Sequence, residues 1–318
     1  MAGIWVLAEN FEHTLELLNI GQQLAAQLGT RLVALTNREK AKATELIAYG
    51  ADEVLLLPVL PDDQPWEAWV STLAEEARQA DPDVILIGGT SRGQDLAARL
   101  AARLNTGLCS GCTSLKLDQE NRLIMERLVY GGLAIQTVVC PTRPQMATIP
   151  PHTYTPVEPQ PGREGVIREL TTFTPSPVKV LSRRPIDRKS ADLSEARVIV
   201  CVGRGLEKPE DLSLARELAE VLGGELGCTR PLAEDLGWMP ADSYIGISGQ
   251  RVKPDLYIGL GVSGQIHHLS GIRDSRIVCA INNDENAPIF EAADYGIVGD
   301  LKTVVPEMIN ILRKVGQK

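Results

Sequence analysis

The chain has 318 residues, of which 44% are hydrophobic, 23% charged and 4% aromatic. A domain typically has roughly 150 residues, so this length predicts two domains, each with its own core. The net charge of −9 argues against nucleic acid as the main partner, because nucleic-acid-binding proteins need a basic face. No apolar run reaches the roughly 18 residues of a membrane span, and the N-terminus lacks the pattern of a signal peptide. We therefore expect a cytoplasmic protein without membrane insertion.

The cysteines give little sign of a metal or redox site. Only Cys109 and Cys112 are close in sequence, as a single C-x-x-C, and a zinc site would need a second pair or suitably spaced histidines. Redox-active pairs usually open a helix after a strand, whereas this pair lies in a Gly/Ser/Thr-rich stretch. Because disulfides are rare in the cytosol, we expect ordinary reduced thiols.

The first 105 residues alternate short apolar runs with amphipathic ones. The predicted strands are Ile4–Ala8, Arg31–Thr36, Glu53–Leu57 and Val84–Gly88, and the predicted helices are Thr14–Leu28, Lys40–Tyr49, Trp66–Gln79 and Gly93–Arg103. This alternation predicts a doubly wound parallel sheet with right-handed crossovers. The later β-like runs are expected to add antiparallel strands to the same domain: Ser114–Leu117, Leu123–Val129, Ile135–Val139 and Met146–Ile149.

A proline-rich segment follows this domain, which we take as residues 1–150. Residues 151–193 carry repeated prolines and a basic cluster at Arg183-Arg184 and Arg188-Lys189, which favours a solvated linker over a nucleic-acid patch. One or two strands, at Gly165–Leu170 and Val178–Ser182, are expected to pack on a domain.

The second α/β domain is predicted over residues 194–318. Its strands are Val198–Val202, Leu256–Leu260, Ile277–Ile281 and Tyr295–Val298, and its helices are Asp211–Leu222 and Thr303–Lys314.

The strongest local signal is a buried strand that runs into Gly259-x-Gly261-x-x-Gly264 and then into a helix-like segment. Glycines let backbone N–H groups approach a phosphate, and a helix N-terminus favours the same anion. Asn282-Asn283-Asp284 follows about 20 residues later, where ribose-binding polar groups are expected. Nucleotide binding is the favoured interpretation, and a purely structural turn is the alternative.

Three further features favour a flavin over a nicotinamide. An imidazole of His267 or His268 would stabilise the negative charge that reduction places on a flavin, although two surface histidines on a helix are the alternative. Arg230 precedes a proline and is either a solvated turn residue or a cation stacked on a ring. Ser248 is a loop hydroxyl beside Gly249 and is otherwise a simple turn residue.

At these residues the sequence resembles the α subunits of electron transfer flavoproteins. The C-terminal resemblance runs over Pro254–Ile258, Gly261–Gly264, His268, Gly271, Ala280–Asn282, Ala287–Phe290, Ala293–Val298, Asp300-Leu301 and Val304–Met308. In the first domain it is weaker, over Ile87–Thr90, Asp95–Ala97, Tyr130–Gly132 and Arg143–Thr148. It therefore extends over nearly the whole chain and is most specific in the C-terminal block.

The resemblance implies FAD bound in the second domain, with its isoalloxazine ring near the interface with a β subunit. By position it assigns Arg204, Thr229 and Arg230 to the cofactor, and Ile245, Gly246, Ile247 and Ser248 to the loop against the flavin, with Ser248 donating towards N5. It assigns the pyrophosphate and ring to Ser263, Gly264, Gln265, Ile266, His267 and His268, with His268 at the O2 end. The adenosine half would contact Asn282 and Asp300.

The sequence departs from the family pattern at several of these positions. The family usually has Gln at position 247, Ala at 265 and Gln at 267, and often Thr at 248, where this chain has Ile247, Gln265, His267 and Ser248. In the first domain Gly111 and Leu133 stand where Asp and Asn are common. These departures concern the N5 hydrogen bond and the reduction potential, and FAD binding does not depend on them.

Three functions follow from these observations. The resemblance implies an electron carrier without a substrate pocket, which accepts electrons from dehydrogenases and passes them to a quinone-linked or other redox acceptor. The alternative is a subunit of an NADH-oxidising, electron-bifurcating complex with a second FAD in its partner. A nucleotide-binding regulatory protein similar to universal stress proteins would suit the first domain, but it leaves the C-terminal signature unexplained.

Overall fold

The structure is a computed structural model that describes residues 3–37, 40–183, 193 and 195–315. The chain forms two compact units, Met1–Arg184 and Pro185–Lys318. Each unit is built on a parallel β-sheet, and a small antiparallel sheet accompanies the first. The expected α/β class is therefore confirmed.

The first unit has a seven-stranded parallel sheet of order β10-β3-β2-β1-β4-β9-β5. Alternate residues of β1 face opposite sides: Ile4 and Val6 pack with α1 and α2, while Trp5 and Leu7 pack with α3 and α4. In chain order the elements are β1 (Gly3–Leu7), α1 (Phe11–Leu28), β2 (Arg31–Thr36), α2 (Lys40–Ala48), β3 (Glu53–Leu56), α3 (Trp69–Ala80), β4 (Val84–Gly88), α4 (Ser91–Leu104), β5 (Leu108–Cys109), β6 (Cys112–Leu117), β7 (Leu123–Val129), β8 (Ala134–Val139), β9 (Gln145–Ile149) and β10 (Val166–Glu169).

The later strands of this unit differ from the prediction in one respect. Strands β6, β7 and β8 form a separate antiparallel sheet, as expected for three of the four runs. The fourth run, Met146–Ile149, was expected to be antiparallel, and this prediction is wrong: β9 lies parallel to β4, with Met146 opposite Ile85. The chain re-enters the sheet beside the start of β4, where Gln145 N–H bonds the Asp83 carbonyl at 2.9 Å, so β9 has to run in the same direction.

The described part of the proline-rich segment, residues 151–183, belongs to the first unit. Its strand β10 adds to β3, close to the predicted Gly165–Leu170. The second predicted strand, Val178–Ser182, is not formed, and Val180 N–H instead makes a single bond to the Asp63 carbonyl at 2.9 Å. Frequent prolines remove the N–H groups that a longer ladder needs. Of the basic cluster, only Arg183 lies within the described residues.

The second unit has a five-stranded parallel sheet of order β12-β11-β13-β14-β15. Val200 and Val202 pack on one face with α5 and α8, while Ile199 and Cys201 pack on the other, towards α6 and α7. Its elements are β11 (Val198–Val202), α5 (Leu212–Leu222), β12 (Glu225–Cys228), β13 (Leu256–Leu260), α6 (Ile266–Ile272), β14 (Val278–Asn282), α7 (Ile289–Ala292), β15 (Tyr295–Val298) and α8 (Leu301–Val315). Strand β12 was missed because Glu225 and Gly227 interrupt its short apolar run.

Two further observations concern what these residues do not form. Across the described ranges, no helix is long and apolar enough to cross a membrane. No group of three or more His, Cys, Asp or Glu side chains that could hold a metal ion occurs among the same residues. The six cysteines are free thiols, and five of them are buried.

Candidate functional site

The candidate site lies where the strand order of the second unit reverses. From β11 the chain first adds β12 on one side, and then returns to add β13 on the other side of β11. In open α/β sheets the loops that leave two such strands diverge and open a crevice at their carboxyl ends. The loops that follow β11 and β13 here are Gly203–Gly205 and Gly261–Gly264.

Glycines let these two loops touch backbone to backbone. The Gly203 N–H donates to the Leu260 carbonyl at 2.9 Å, and the Gly205 N–H donates to the Gly261 carbonyl at 3.0 Å. Gly264 has a φ of +80°, and a Cβ there would lie 2.3 Å from the backbone nitrogen of Ile289. Only glycine satisfies both the left-handed conformation and the close contact.

A cleft of about 520 Å³ opens beside these loops, within the usual size range for a small-molecule site. Thirteen of the 15 residues assigned by the sequence resemblance line it: Arg204, Thr229, Arg230, Ile245, Gly246, Ile247, Ser248, Ser263, Gly264, Gln265, His267, His268 and Asn282. Of the other two, Ile266 points its half-exposed side chain elsewhere. Asp300 lines a second cavity of about 260 Å³.

The two cavities adjoin. Gly205, Gly261 and Asn283 line both of them, so the contact between the glycine loops forms a shared wall. Asp300 lies at the second cavity, where its carboxylate accepts the Lys302 N–H at 2.9 Å at the start of α8. Asn282 is buried and donates to the Val262 carbonyl at 2.9 Å, and its Oδ1 accepts from Asp284 N–H at 3.0 Å. It thereby fastens the loop after β13 to the loop after β14.

The glycine loop offers hydrogen-bond donors to the cleft. Within the described part of the chain, the backbone N–H groups of Ser263, Gly264 and Gln265 donate to no protein acceptor. The following helix, α6, has only seven residues. Loop amides therefore provide most of the attraction for an anion at this site. The dipole of α6 contributes less than the sequence suggested, because the helix is short.

Polar and charged side chains also line the cleft. The Thr229 hydroxyl is buried and has no hydrogen-bond partner among the described residues, although a buried hydroxyl without one is costly. Arg204 is exposed and forms no ion pair within the described ranges. Arg230 is paired with Glu234, Nε to Oε2 at 2.5 Å, and this pairing raises the pKa of the guanidinium.

The two histidines have different environments. His267 is exposed and lines the cleft, whereas His268 is 7% exposed. Burial lowers the pKa of His268 to about 4, so its imidazole is neutral at pH 7. Its Nδ1 lies 3.1 Å from the Ile245 carbonyl, and its Nε2 lies 2.7 Å from the Tyr257 hydroxyl. Both ring nitrogens of His268 therefore lie within hydrogen-bonding distance of protein groups, and its place at the O2 end of a flavin stays a prediction.

Comparison with known proteins gives a consistent result for both units. The profile described as "Electron transfer flavoprotein domain" matches residues 4–173, and that described as "Electron transfer flavoprotein FAD-binding domain" matches residues 192–273. The chain belongs to the electron transfer flavoprotein family. It is 40% identical to Protein FixB of Clostridium saccharobutylicum, over 96% of this chain and 95% of that protein. It is 37% identical to the electron transfer flavoprotein subunit alpha of Thermoanaerobacterium thermosaccharolyticum, over 98% of each chain. It is also 38% identical to the subunit alpha of Clostridium acetobutylicum, over 96% of each.

The cleft of this flavoprotein suits the cofactor of its family. Residues 192–273 are an FAD-binding domain, and they contain both glycine loops. Free loop amides suit a pyrophosphate, and the Thr229 hydroxyl lacks a partner that a ligand atom would supply. Two adjoining cavities suit the two halves of a dinucleotide.

Nine residues line the cleft of this flavoprotein besides those that the resemblance assigned to the cofactor. They are Gly205, Pro231, Tyr244, Gly261, Val262, Asn283, Asp284, Ala287 and Pro288. Gly261, Asn283 and Asp284 belong to motifs that the sequence already singled out. Tyr244 is fixed by its hydroxyl, which donates to the Ser248 carbonyl at 2.6 Å, and no local sequence signal marks that contact.

Proposed function

We propose that FAD lies across the two adjoining cavities of the second unit, with its pyrophosphate at Ser263–Gln265. The observation that carries this proposal is the shared wall of Gly205, Gly261 and Asn283 at the strand-order reversal. An extended dinucleotide spans such a crevice with its phosphates at the glycine loop. In this arrangement the adenosine half lies towards Asp300, and the isoalloxazine ring lies in the larger cleft.

The residues around the larger cleft would act on the ring. Loop Ile245–Ser248 forms one wall, with Ile245 and Gly246 buried and Ile247 and Ser248 exposed. Thr229 would donate to a ligand acceptor, and Arg204 and Arg230 would provide positive charge on the same side. Bound FAD supplies reversible one- and two-electron chemistry, and the protein orients the ring and sets its potential through nearby charge and hydrogen bonds.

The exposure of the cleft supports a carrier that passes electrons between proteins. Ile247 is 43% exposed, and Ser263, Gln265 and His267 are exposed as well, so one wall faces outwards. An electron carrier must bring its flavin close to successive partners, whereas an enzyme that handles a small substrate usually encloses it. We therefore propose that the ring is reached by redox proteins at this open side.

Two relatives are named as subunit alpha, which supports a second subunit for this chain. We propose an obligate heterodimer with an electron transfer flavoprotein β subunit. It accepts electrons from dehydrogenases and passes them to a quinone-linked or other redox acceptor. Each unit has buried hydrophobic clusters of its own, so in this proposal the β subunit covers the open side of the cleft and is not needed to fold the sheets.

The test is to co-express the chain with an electron transfer flavoprotein β subunit of the same organism, purify the complex and titrate it with electron donors. We expect one FAD per heterodimer, reduction by a reduced dehydrogenase and no reduction by NADH. Two FAD per heterodimer with rapid NADH oxidation would instead favour the bifurcating complex. A fully flavinated monomer of this chain alone would contradict the obligate heterodimer.

A further inference from the structure

A buried chain of polar groups lies behind the cleft. Tyr257, on β13, is fully buried, and its hydroxyl lies 2.7 Å from Nε2 of His268 on α6. The Cys201 thiol, on the neighbouring strand β11, lies 4.0 Å from the same nitrogen. On the other side of the imidazole, Nδ1 lies 3.1 Å from the Ile245 carbonyl. These hydrogen-bonded groups therefore connect the sheet, α6 and the cleft loop within the core.

The hydrogen bonds fix which nitrogen carries the proton. A carbonyl only accepts, so Nδ1 of His268 must be the protonated nitrogen that donates to Ile245. In the neutral imidazole Nε2 is then an acceptor, and the Tyr257 hydroxyl must donate to it. The alternative, a doubly protonated ring, would place a charge among Cys201, Tyr257 and the apolar core around them, where burial disfavours it.

Ile245 is the first residue of loop Ile245–Ser248, which forms one wall of the cleft. The rest of the loop is bound to the same helix, because the Ile247 N–H donates to the His267 carbonyl at 2.8 Å. A hydrogen bond from Gly246 N–H to the Gln250 carbonyl at 3.0 Å closes the turn. The side chain of His268 adds a hydrogen bond from α6 to the Ile245 carbonyl at the start of this loop.

We propose that Tyr257 is a positioning residue for the FAD cleft. Its hydroxyl keeps Nε2 of His268 as an acceptor, so the proton stays on Nδ1, where it holds the Ile245 carbonyl and with it loop Ile245–Ser248. An effect on bound FAD rests on the proposed function, whereas the tautomer and the loop contact are properties of the protein. Tyr257 touches neither the cleft nor the cofactor, since it does not line the cavity.

The experiment uses the full chain with its β subunit, labelled with ¹⁵N-histidine, and the variants Tyr257→Phe and Tyr295→Phe. Tyr295 is 67% exposed on β15 of the same unit and serves as the matched control. NMR correlation of ring nitrogens and protons reports the tautomer of His268, and amide exchange at Ile247 reports the loop. The midpoint potential of bound FAD is measured on the same samples.

In the wild type we expect the Nδ1–H tautomer to predominate over a small Nε2–H population. In Tyr257→Phe the Nε2–H tautomer and the exchange rate at Ile247 should each rise by about five- to tenfold, the loss of one hydrogen bond, and the potential should shift. Tyr295→Phe should match the wild type in all three. A wild-type His268 protonated on Nε2 would overturn the proposal, even if Tyr257→Phe fails to fold. A folded Tyr257→Phe with the wild-type tautomer and the wild-type exchange rate at Ile247 would overturn it as well. Absence of FAD with the expected tautomer would instead contradict the proposed function alone.

Discussion

Gly205 and Gly261 lie in direct backbone contact: the Gly205 N–H donates to the Gly261 carbonyl at 3.0 Å, and a Cβ on Gly205 would lie 2.5 Å from the Gly261 Cα. This contact joins the loops after β11 and β13 where the strand order reverses. It makes the two cavities neighbours and leaves the amides after Gly261 free to bind a ligand. The proposed flavin site would thus depend on main-chain geometry more than on any one side chain.

Gly264→Ala should therefore disrupt FAD binding. The added Cβ would lie 2.3 Å from the Ile289 nitrogen, at a φ of +80°, so the loop has to move. We expect FAD affinity to fall at least about tenfold, which corresponds to ~1.4 kcal/mol. Fluorescence titration of flavin-free protein with FAD measures this change.

Gly223→Ala is the matched control for that variant. Gly223 ends α5 with a φ of +64°, but an added Cβ has no atom within 4 Å. The substitution should cost about 1 kcal/mol of stability through backbone strain alone and leave FAD affinity unchanged. Equal FAD affinities in the two variants would show that the loop around Gly264 does not hold the cofactor.

Thr229→Val should weaken FAD binding without destabilising the flavin-free protein. The Thr229 hydroxyl is buried without a partner, so replacing it by a methyl group should leave the flavin-free protein as stable or up to about 1 kcal/mol more stable. If the hydroxyl bonds FAD, the same variant should lose about three- to tenfold in FAD affinity. Thr303→Val, at an exposed position on α8, should change neither quantity. A Thr229→Val protein that is less stable and binds FAD normally would mean that the hydroxyl has a partner inside the protein.

The sequence predicted the strands around the site closely, and it predicted the side-chain environments less well. The run Leu256–Leu260 coincides with β13 because a buried parallel strand is apolar on both faces. His268 was placed at the cleft, but its neutral state results from burial, and its hydrogen bond to Ile245 joins residues 23 positions apart in sequence. The direction of β9 was likewise decided by where the chain re-enters the sheet, which no local pattern encodes.

Arg204→Gln should lower the midpoint potential of bound FAD. Arg204 lines the cleft, and a cation near the flavin stabilises the charge that reduction adds. The expected shift is on the order of 20–60 mV, since ~59 mV is a tenfold change for one electron. Arg216→Gln, on the exposed side of α5, makes the same change in net charge away from the cleft and should shift the potential much less. Equal shifts would mean that only the overall charge of the protein matters.

Acid should destabilise the second unit through His268. The pKa of His268 is about 4 in the fold and ordinarily about 6.5, so the unfolded chain binds its proton first as pH falls. The stabilising contribution is complete above pH ~6.5 and is lost as the pH falls to ~4, by about 3 kcal/mol in total. Urea unfolding followed through Trp238, the only tryptophan of this unit, should show this loss. His268→Gln should have a smaller dependence on pH over that range, and an equal dependence would assign the effect to other groups.

The flavin released from the purified heterodimer tests the central claim most directly. Acid denaturation and chromatography should give one FAD per copy of this chain, and the double variant Thr229→Val/Gly264→Ala should release at least about tenfold less at limiting FAD. Recovery of FMN, or an FAD content that the double variant leaves unchanged, would contradict an FAD site in the cleft between the two glycine loops.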